Sequence, residues 1–379
     1  MLSASDLASP APPSHRPRPA TVLRVAKGVA LVVAVAAVLL FPRLAADPFI
    51  LSVGVVIASY AVLATSWNLV GGFTGYISLG HAAYYGVGAY ATALLIIKAD
   101  VPPFVAWIVG ALLVGLLAIP IGIAALRVRG ASFVIVTIAL VLILLLVFQS
   151  WGSFTGGSNG LRVPRPFSAD VLRPEQHERF FYLHIALLSV VLLVWWVIDR
   201  SRFGAGLKAI REDEDKAESL GVPTVRYKLI AFVLSAFFTA LGGGLYALWF
   251  GFLDPIFQFS ILIGSYMVLM ALLGGVRSLF GPAIGAVIVG VALEFFKSRY
   301  GDTQLHLVAT GLLLALVVLF MPDGIIPALT NLVNRFRPTA SSIQEMTAAE
   351  LLQRDRAERP SETELSATEV ADENTAVPR

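Results

Sequence analysis

Ten stretches of the chain are almost continuously apolar, at 25–41, 48–69, 81–97, 103–126, 131–151, 180–198, 229–250, 257–273, 280–296 and 305–321. Each approaches the roughly 20 residues that an α-helix needs to cross the hydrocarbon of a bilayer. A membrane β-barrel would instead show short segments of alternating polarity. The pattern therefore predicts an all-α fold, a polytopic membrane helix bundle of about ten transmembrane helices. Composition agrees, since 57% of the 379 residues are hydrophobic and the mean hydropathy is +0.79, more apolar surface than a soluble core requires.

Charge is sparse and sorted. Arg16, Arg18, Arg24 and Lys27 precede the first run, Arg127 and Arg129 follow the fourth, and Arg335 and Arg337 follow the last. The segment 199–228 follows the sixth and holds seven basic and six acidic residues. With the N-terminus inside and ten crossings, all four clusters fall on the cytoplasmic side, where Lys and Arg accumulate. The stretch 297–299 then lies outside, and so does the long loop 152–179. The net charge of +3 reflects topology, so lipid and not nucleic acid is the expected surrounding. Residues 1–22 and 338–379, poor in apolar side chains, are expected to be disordered cytoplasmic ends around a membrane domain at 23–337. The first apolar run is expected to remain as an anchor and not to be a cleaved signal.

Catalytic signatures are scarce. The chain has no cysteine, which removes disulfides and thiolate chemistry, and no metal-ligand cluster stands out. It lacks the G-x-x-x-x-G-K-[ST] loop that cradles nucleotide phosphates. Inside the apolar runs the ionisable groups are His81, His184 and Glu294, the last one turn from Lys297. Carriers driven by protons or sodium keep such groups near mid-membrane, so the energy for any transport is expected from a partner.

Two glycine-dense stretches and the charged segment are the candidate sites. Gly71, Gly72, Gly75 and Gly80 surround Thr74, Ser78 and His81. Glycine costs about 1 kcal/mol per helical position, so this density predicts a break or unwound turn. Such backbone is tolerated at membrane depth where it is buried in protein or lines a cavity. Two readings stand open: a solute pathway along Gly72, Thr74, Gly75, Ser78, Gly80 and His81, or close helix packing through small residues. In the outer loop, Gly156, Gly157, Asn159 and Gly160 form either a tight turn or a contact for a binding protein. Within 199–228, Asp215, Ala217 and Gly221 place an acid, a small residue and a glycine at the spacing E-A-A-x-x-x-G.

The order of these features resembles one family, the membrane subunits of branched-chain amino-acid ABC transporters, of the LivM type. The similarity is carried by NLVGGFTGYISLGHAAYYGVGAY at 68–90, TGGSNGL at 155–161 and SRFGAGLKAIREDEDKAESLGVPTVRYKLIAF at 201–232. It continues through LGGGLYAL at 241–248, LLGGVRSLFGPAIGA at 272–286 and MPDGI at 321–325. The resemblance implies a non-catalytic permease in a bacterial cytoplasmic membrane. Its partners would be a second permease subunit, two ATP-binding subunits that carry ATP and magnesium, and a periplasmic substrate-binding protein. No cofactor would be bound by this chain. The coupling surface would comprise Arg211, Glu212, Asp213, Glu214, Asp215, Ala217, Glu218 and Gly221, with Arg211 free to pair with Asp215 one turn on. The acid that is ordinarily Glu is here Asp215. Relatives in such a family import urea or short amides, so these solutes remain an alternative to Leu, Ile and Val. A secondary carrier is a further alternative, which the shortage of intramembrane charge disfavours.

Overall fold

The computed structural model describes residues 32–33, 35–45, 47–167 and 171–301, and single positions at 308, 311, 312 and 324. Among the described residues, eight helical segments are long and apolar enough to cross a membrane. They are α2 (Pro48–Thr74), α3 (His81–Ala99), α4 (Pro103–Ala125), α5 (Ala131–Ser150), α7 (Arg173–Asp199), α10 (Thr224–Phe250), the segment Pro255–Gly274 and α13 (Gly281–Tyr300). A short apolar helix, α1 (Val35–Leu44), precedes them and overlaps the expected run 25–41. The tenth expected run, 305–321, lies almost wholly outside the described residues, as do the expected ends 1–22 and 338–379.

The helices start and stop for local reasons. Asp47 caps α2, its Oδ1 accepting Phe49 N–H at 2.8 Å, with Pro48 in the first turn. Proline is tolerated there because that N–H has no partner inside the helix. Two helices begin earlier than their apolar runs: α7 at Arg173 and α10 at Thr224. The second case draws Lys228 out of the expected charged loop and into a membrane helix. One expected span is broken. In place of a continuous 257–273, α11 (Pro255–Gln258) is followed by α12 (Ile261–Gly274). Phe259 turns inward between them, its ring centroid 4.8 Å from Phe148 and 6.0 Å from Tyr90. Burying that aromatic ring stabilises the break, and Ser260 recaps the chain by accepting Leu262 N–H at 3.3 Å.

Helix α2 is the centre of the bundle, packed by α7, α10, α12 and α13. Helix α10 in turn packs on α3 and α4. Small residues allow these close approaches, the usual device where no water drives helices together. A Cβ at Gly88 would collide with the Ala240 backbone, and one at Gly243 with the Tyr85 carbonyl. Gly285 faces Met270 O and Gly274 faces Gly281 O, so small residues join α13 to α12. Helix α5 is different: only Phe133, Thr137 and Val141 are buried on it.

One end of the bundle carries the ionic cluster around 199–228. The α4–α5 turn meets the segment 199–228 through Arg129, and the turn after α12 meets it through Arg277. The opposite end is closed by backbone. α6 (Gly152–Thr155) and a 3-10 turn at Gly157–Asn159 lead to β1 (Leu161–Arg162), which pairs antiparallel with β2 (Phe252–Leu253). The sorting of Arg and Lys makes the first end the expected cytoplasmic one and the second the expected external one.

Candidate functional site

The first candidate region is the break between α2 and α3. Helix α2 runs straight through Gly71 and Gly72, so unwinding does not begin where the glycines do. It ends at Gly75, whose φ of +75° is a left-handed conformation that side-chain-bearing residues resist. Residues 75–80 then turn back alongside α2, where Trp67 Nε1 donates to Ser78 O at 2.7 Å. His81 is fully buried at the start of α3. The Ser235 hydroxyl gives its proton to Ser66 O at 2.6 Å. His81 Nε2, 2.7 Å from Ser235 Oγ, is then the donor, and Nδ1 is left as a buried acceptor with no partner among the described residues. Ser78 Oγ and Tyr84 OH are also buried, with no hydrogen-bond partner among the described residues. These two residues line a cavity of about 300 Å³. Thr137 also lines it, and the rest of the wall, including Ile121, Ala125, Val136, Leu140 and Phe232, is apolar. A largely apolar concavity beside a helix break is a candidate small-molecule site.

The second region is the charged segment at the cytoplasmic end, which folds as two short helices, α8 (Arg202–Glu212) and α9 (Glu214–Ser219). Ser201 caps α8, accepting Gly204 N–H at 3.0 Å. Asp213 caps α9, accepting Lys216 N–H at 3.0 Å and facing Lys216 Nζ at 2.9 Å. The bond from the Lys216 backbone, followed by that from its side chain, holds the Asp213 carboxyl below its usual range. Ala217 is buried beneath α9. The chain leaves α9 with Val222 N–H bonded to Ala217 O at 3.1 Å and Gly221 at φ +84°. This is the glycine-ended helix stop expected from sequence. Glu212, Asp215, Glu218, Leu220 and Gly221 are exposed on this platform.

Residues 49–320 match the family described as branched-chain amino acid transport system, permease component. The chain belongs to that family. It is similar to the high-affinity branched-chain amino acid permease protein LivM of Escherichia coli K12, 29% identical over 308 residues, covering 74% of this chain and 72% of LivM. It is also similar to LivH of the same organism, 29% identical over 293 residues, with coverage of 71% and 91%. A shorter likeness, 29% over 143 residues, covers 37% of this chain and 40% of the fructose import permease protein FrcC of Rhizobium meliloti. No solved structure matches.

Within this permease the expected site residues divide. Ser78, Gly80 and the cavity come together, with Gly80 pressed against Thr137 of α5 and His81 buried just behind. Gly72 lies inside α2, and Thr74 satisfies its own helix through Oγ1 to Val70 O at 2.8 Å. In the outer loop, Gly156, Gly157 and Gly160 all adopt positive φ and Asn159 is exposed. On the platform, the anticipated Arg211–Asp215 pair is absent. Arg211 Nη1 instead donates to Gly72 O at 2.6 Å, and Asp215 pairs with Arg129 at 2.8 Å. Glu214 departs furthest from the expected surface role, because it turns inward. Its carboxylate lies 2.5 Å from Lys228 Nζ and accepts from Tyr76 OH at 2.7 Å. Tyr76, Lys228, Tyr84 and Arg129 were not legible as site residues. The single signal for Lys228 is a lysine placed four residues into the helix that begins at Thr224.

Proposed function

We propose that this chain is the membrane permease of an ATP-driven importer that carries branched-chain amino acids across a bacterial inner membrane. A second permease subunit completes the pathway. Two separate ATPase subunits hold ATP and magnesium, and a periplasmic protein delivers the solute. The observation that carries this reading is the α8–α9 platform. It is a capped, glycine-ended pair of helices at the cytoplasmic end, exposing Glu212, Asp215, Glu218 and Leu220 in a chain without a nucleotide-binding loop. Such a rigid edge suits docking of an energy-supplying partner, whose movement tilts the spans by a hinge or shear. The cavity beside residues 75–81 supplies largely apolar walls suited to a branched side chain.

The test is reconstitution with the partner subunits and loaded binding protein, following leucine uptake and ATP hydrolysis. A Cβ at Gly221 would meet no atom within 4 Å, so Gly221→Val acts through the backbone, where a left-handed β-branched residue is strained by about 1–2 kcal/mol. The expected result is a folded permease that neither transports nor stimulates ATP hydrolysis. Wild-type stimulation by this variant would refute the docking role. Absence of leucine uptake by the wild-type complex would refute the solute assignment.

A further inference from the structure

The break at 75–80 and the α8–α9 platform are tied to each other through buried charge. Tyr76 lies on the break, Glu214 opens α9, Lys228 sits in the second turn of α10, and Arg129 belongs to the α4–α5 turn. Both oxygens of Glu214 are engaged. Oε2 accepts from Tyr76 OH at 2.7 Å, and Oε1 faces Lys228 Nζ at 2.5 Å and Arg129 Nη2 at 3.3 Å. Lys228 Nζ also donates to Tyr76 OH at 3.1 Å and stands 4.8 Å from the centre of its ring. The Lys228 side chain is 3% exposed and that of Glu214 10%. Arg129, half exposed, caps the group on its solvent side.

A second tie runs in parallel. Arg211 of α8 donates to Gly72 O, in the last turn of α2. Gly75 leaves room for it, since a Cβ there would lie 3.2 Å from Arg211 Cγ. Platform residues thus grip the chain on both sides of the point where α2 ends. From Tyr76 the chain needs two residues to reach Ser78 on the cavity wall and five to reach His81. Tyr76 also packs edge-on against Phe133 of α5 at 5.1 Å, and the cavity opens beside that helix.

We propose that Tyr76, Glu214 and Lys228 are positioning residues that form a latch, carrying displacement of the α8–α9 platform to the 75–80 segment and so to the cavity. The latch deepens the reading above, on which it rests. Its chemistry suits the task. An apolar contact between platform and break could slide by small steps at little cost. Separating Glu214 from Lys228 in a dry site would strand both charges, so the platform and Tyr76 move as one body. Such a linkage has the discrete arrangements that coupling between distant sites requires.

The latch is tested in the reconstituted complex with cysteine-free partner subunits. The permease itself has no cysteine, so spin labels can be placed on Ile77→Cys, at the break, and Phe154→Cys, at the external end. With the latch intact, ATP and magnesium change the distance between the labels. The triple variant Y76F/E214L/K228M replaces the buried polar group by apolar side chains of similar size, an exchange that buried ion pairs often tolerate. Y76F alone removes one hydroxyl. Both variants are expected to assemble with their partners, to lose the nucleotide-driven distance change and to lose uptake by about tenfold or more. An unchanged distance response in Y76F and the triple variant overturns the proposal, as does a labelled wild type whose 77–154 distance ignores nucleotide. If the triple variant does not assemble, Y76F decides. Loss of leucine uptake in the wild type, with its distance response intact, would remove the solute assignment and leave the latch standing.

Discussion

The two ends of the permease are held by different forces. At the external end the chain is closed by the β1–β2 pair, by Thr155 donating to Phe148 O and Trp151 O at 2.6 and 2.8 Å, and by Trp249 Nε1 donating to His177 Nδ1 at 2.9 Å. At the cytoplasmic end the ties are ionic: Glu214 with Lys228 and Arg129, Asp215 with Arg129, and Glu212 with Arg277. Neutral hydrogen bonds fix a geometry and respond little to salt, whereas charges bind strongly only where water is excluded. The external end is therefore built to keep one shape. The cytoplasmic end combines one dry charge cluster with exposed pairs that a partner can reorganise.

Removing Lys228 should break this contrast most severely. Lys228→Met leaves Glu214 buried without its main counter-charge, which costs about 3–5 kcal/mol for a buried pair. A sharp fall in the melting temperature of the detergent-solubilised permease checks it, and the fall should exceed that of any substitution at the external end. Thr155→Val comes next. It removes a hydroxyl that serves two carbonyls and accepts Gly157 N–H at 3.3 Å, and costs about 1–3 kcal/mol for the buried groups left unpaired. Its effect on melting should be the same at low and high salt, whereas salt dependence would show that the external end also rests on charge.

The smallest effect is expected at the Asp213 cap. Its carboxyl is held below the usual range by the Lys216 backbone. That contribution to α9 is complete above the ordinary Asp value and disappears as pH falls through the lower folded one. Amide exchange in α9, compared at equal chemical exchange rate, should lose protection only in acid below the usual carboxylate range, while the Thr155 turn holds. Loss of α9 protection already near neutral pH would contradict the cap.

Much of the architecture was readable because it rests on local physics. Twenty apolar residues in a row report a membrane helix whatever surrounds them, and eight of the ten runs recur as spans within the described residues. The stop at Gly221 is equally local, because a left-handed turn after a short helix selects glycine. Sequence also brought Ser78, Gly80 and His81 forward as a group, since they cluster within four residues around a glycine-rich break. It assigned the break too early. Gly71 and Gly72 stay helical because α2 is enclosed by four other helices, and that enclosure outweighs the propensity cost of two glycines.

What remained hidden were the long-range partners. Arg211 lies 139 residues from Gly72, and Tyr76 lies 138 from Glu214. The charge pattern led to the expectation that 199–228 faces the cytoplasm, yet every acid in it looked alike. Burial alone separates Glu214, beneath Tyr76 and beside Lys228, from Asp215, exposed one residue later. The spans and their order were therefore legible in the sequence alone, because hydrophobic length is a property of short segments. Only the tertiary structure separates the acid left exposed, Asp215, from the one bonded to the break, Glu214, because that depends on how the helices pack around each carboxylate.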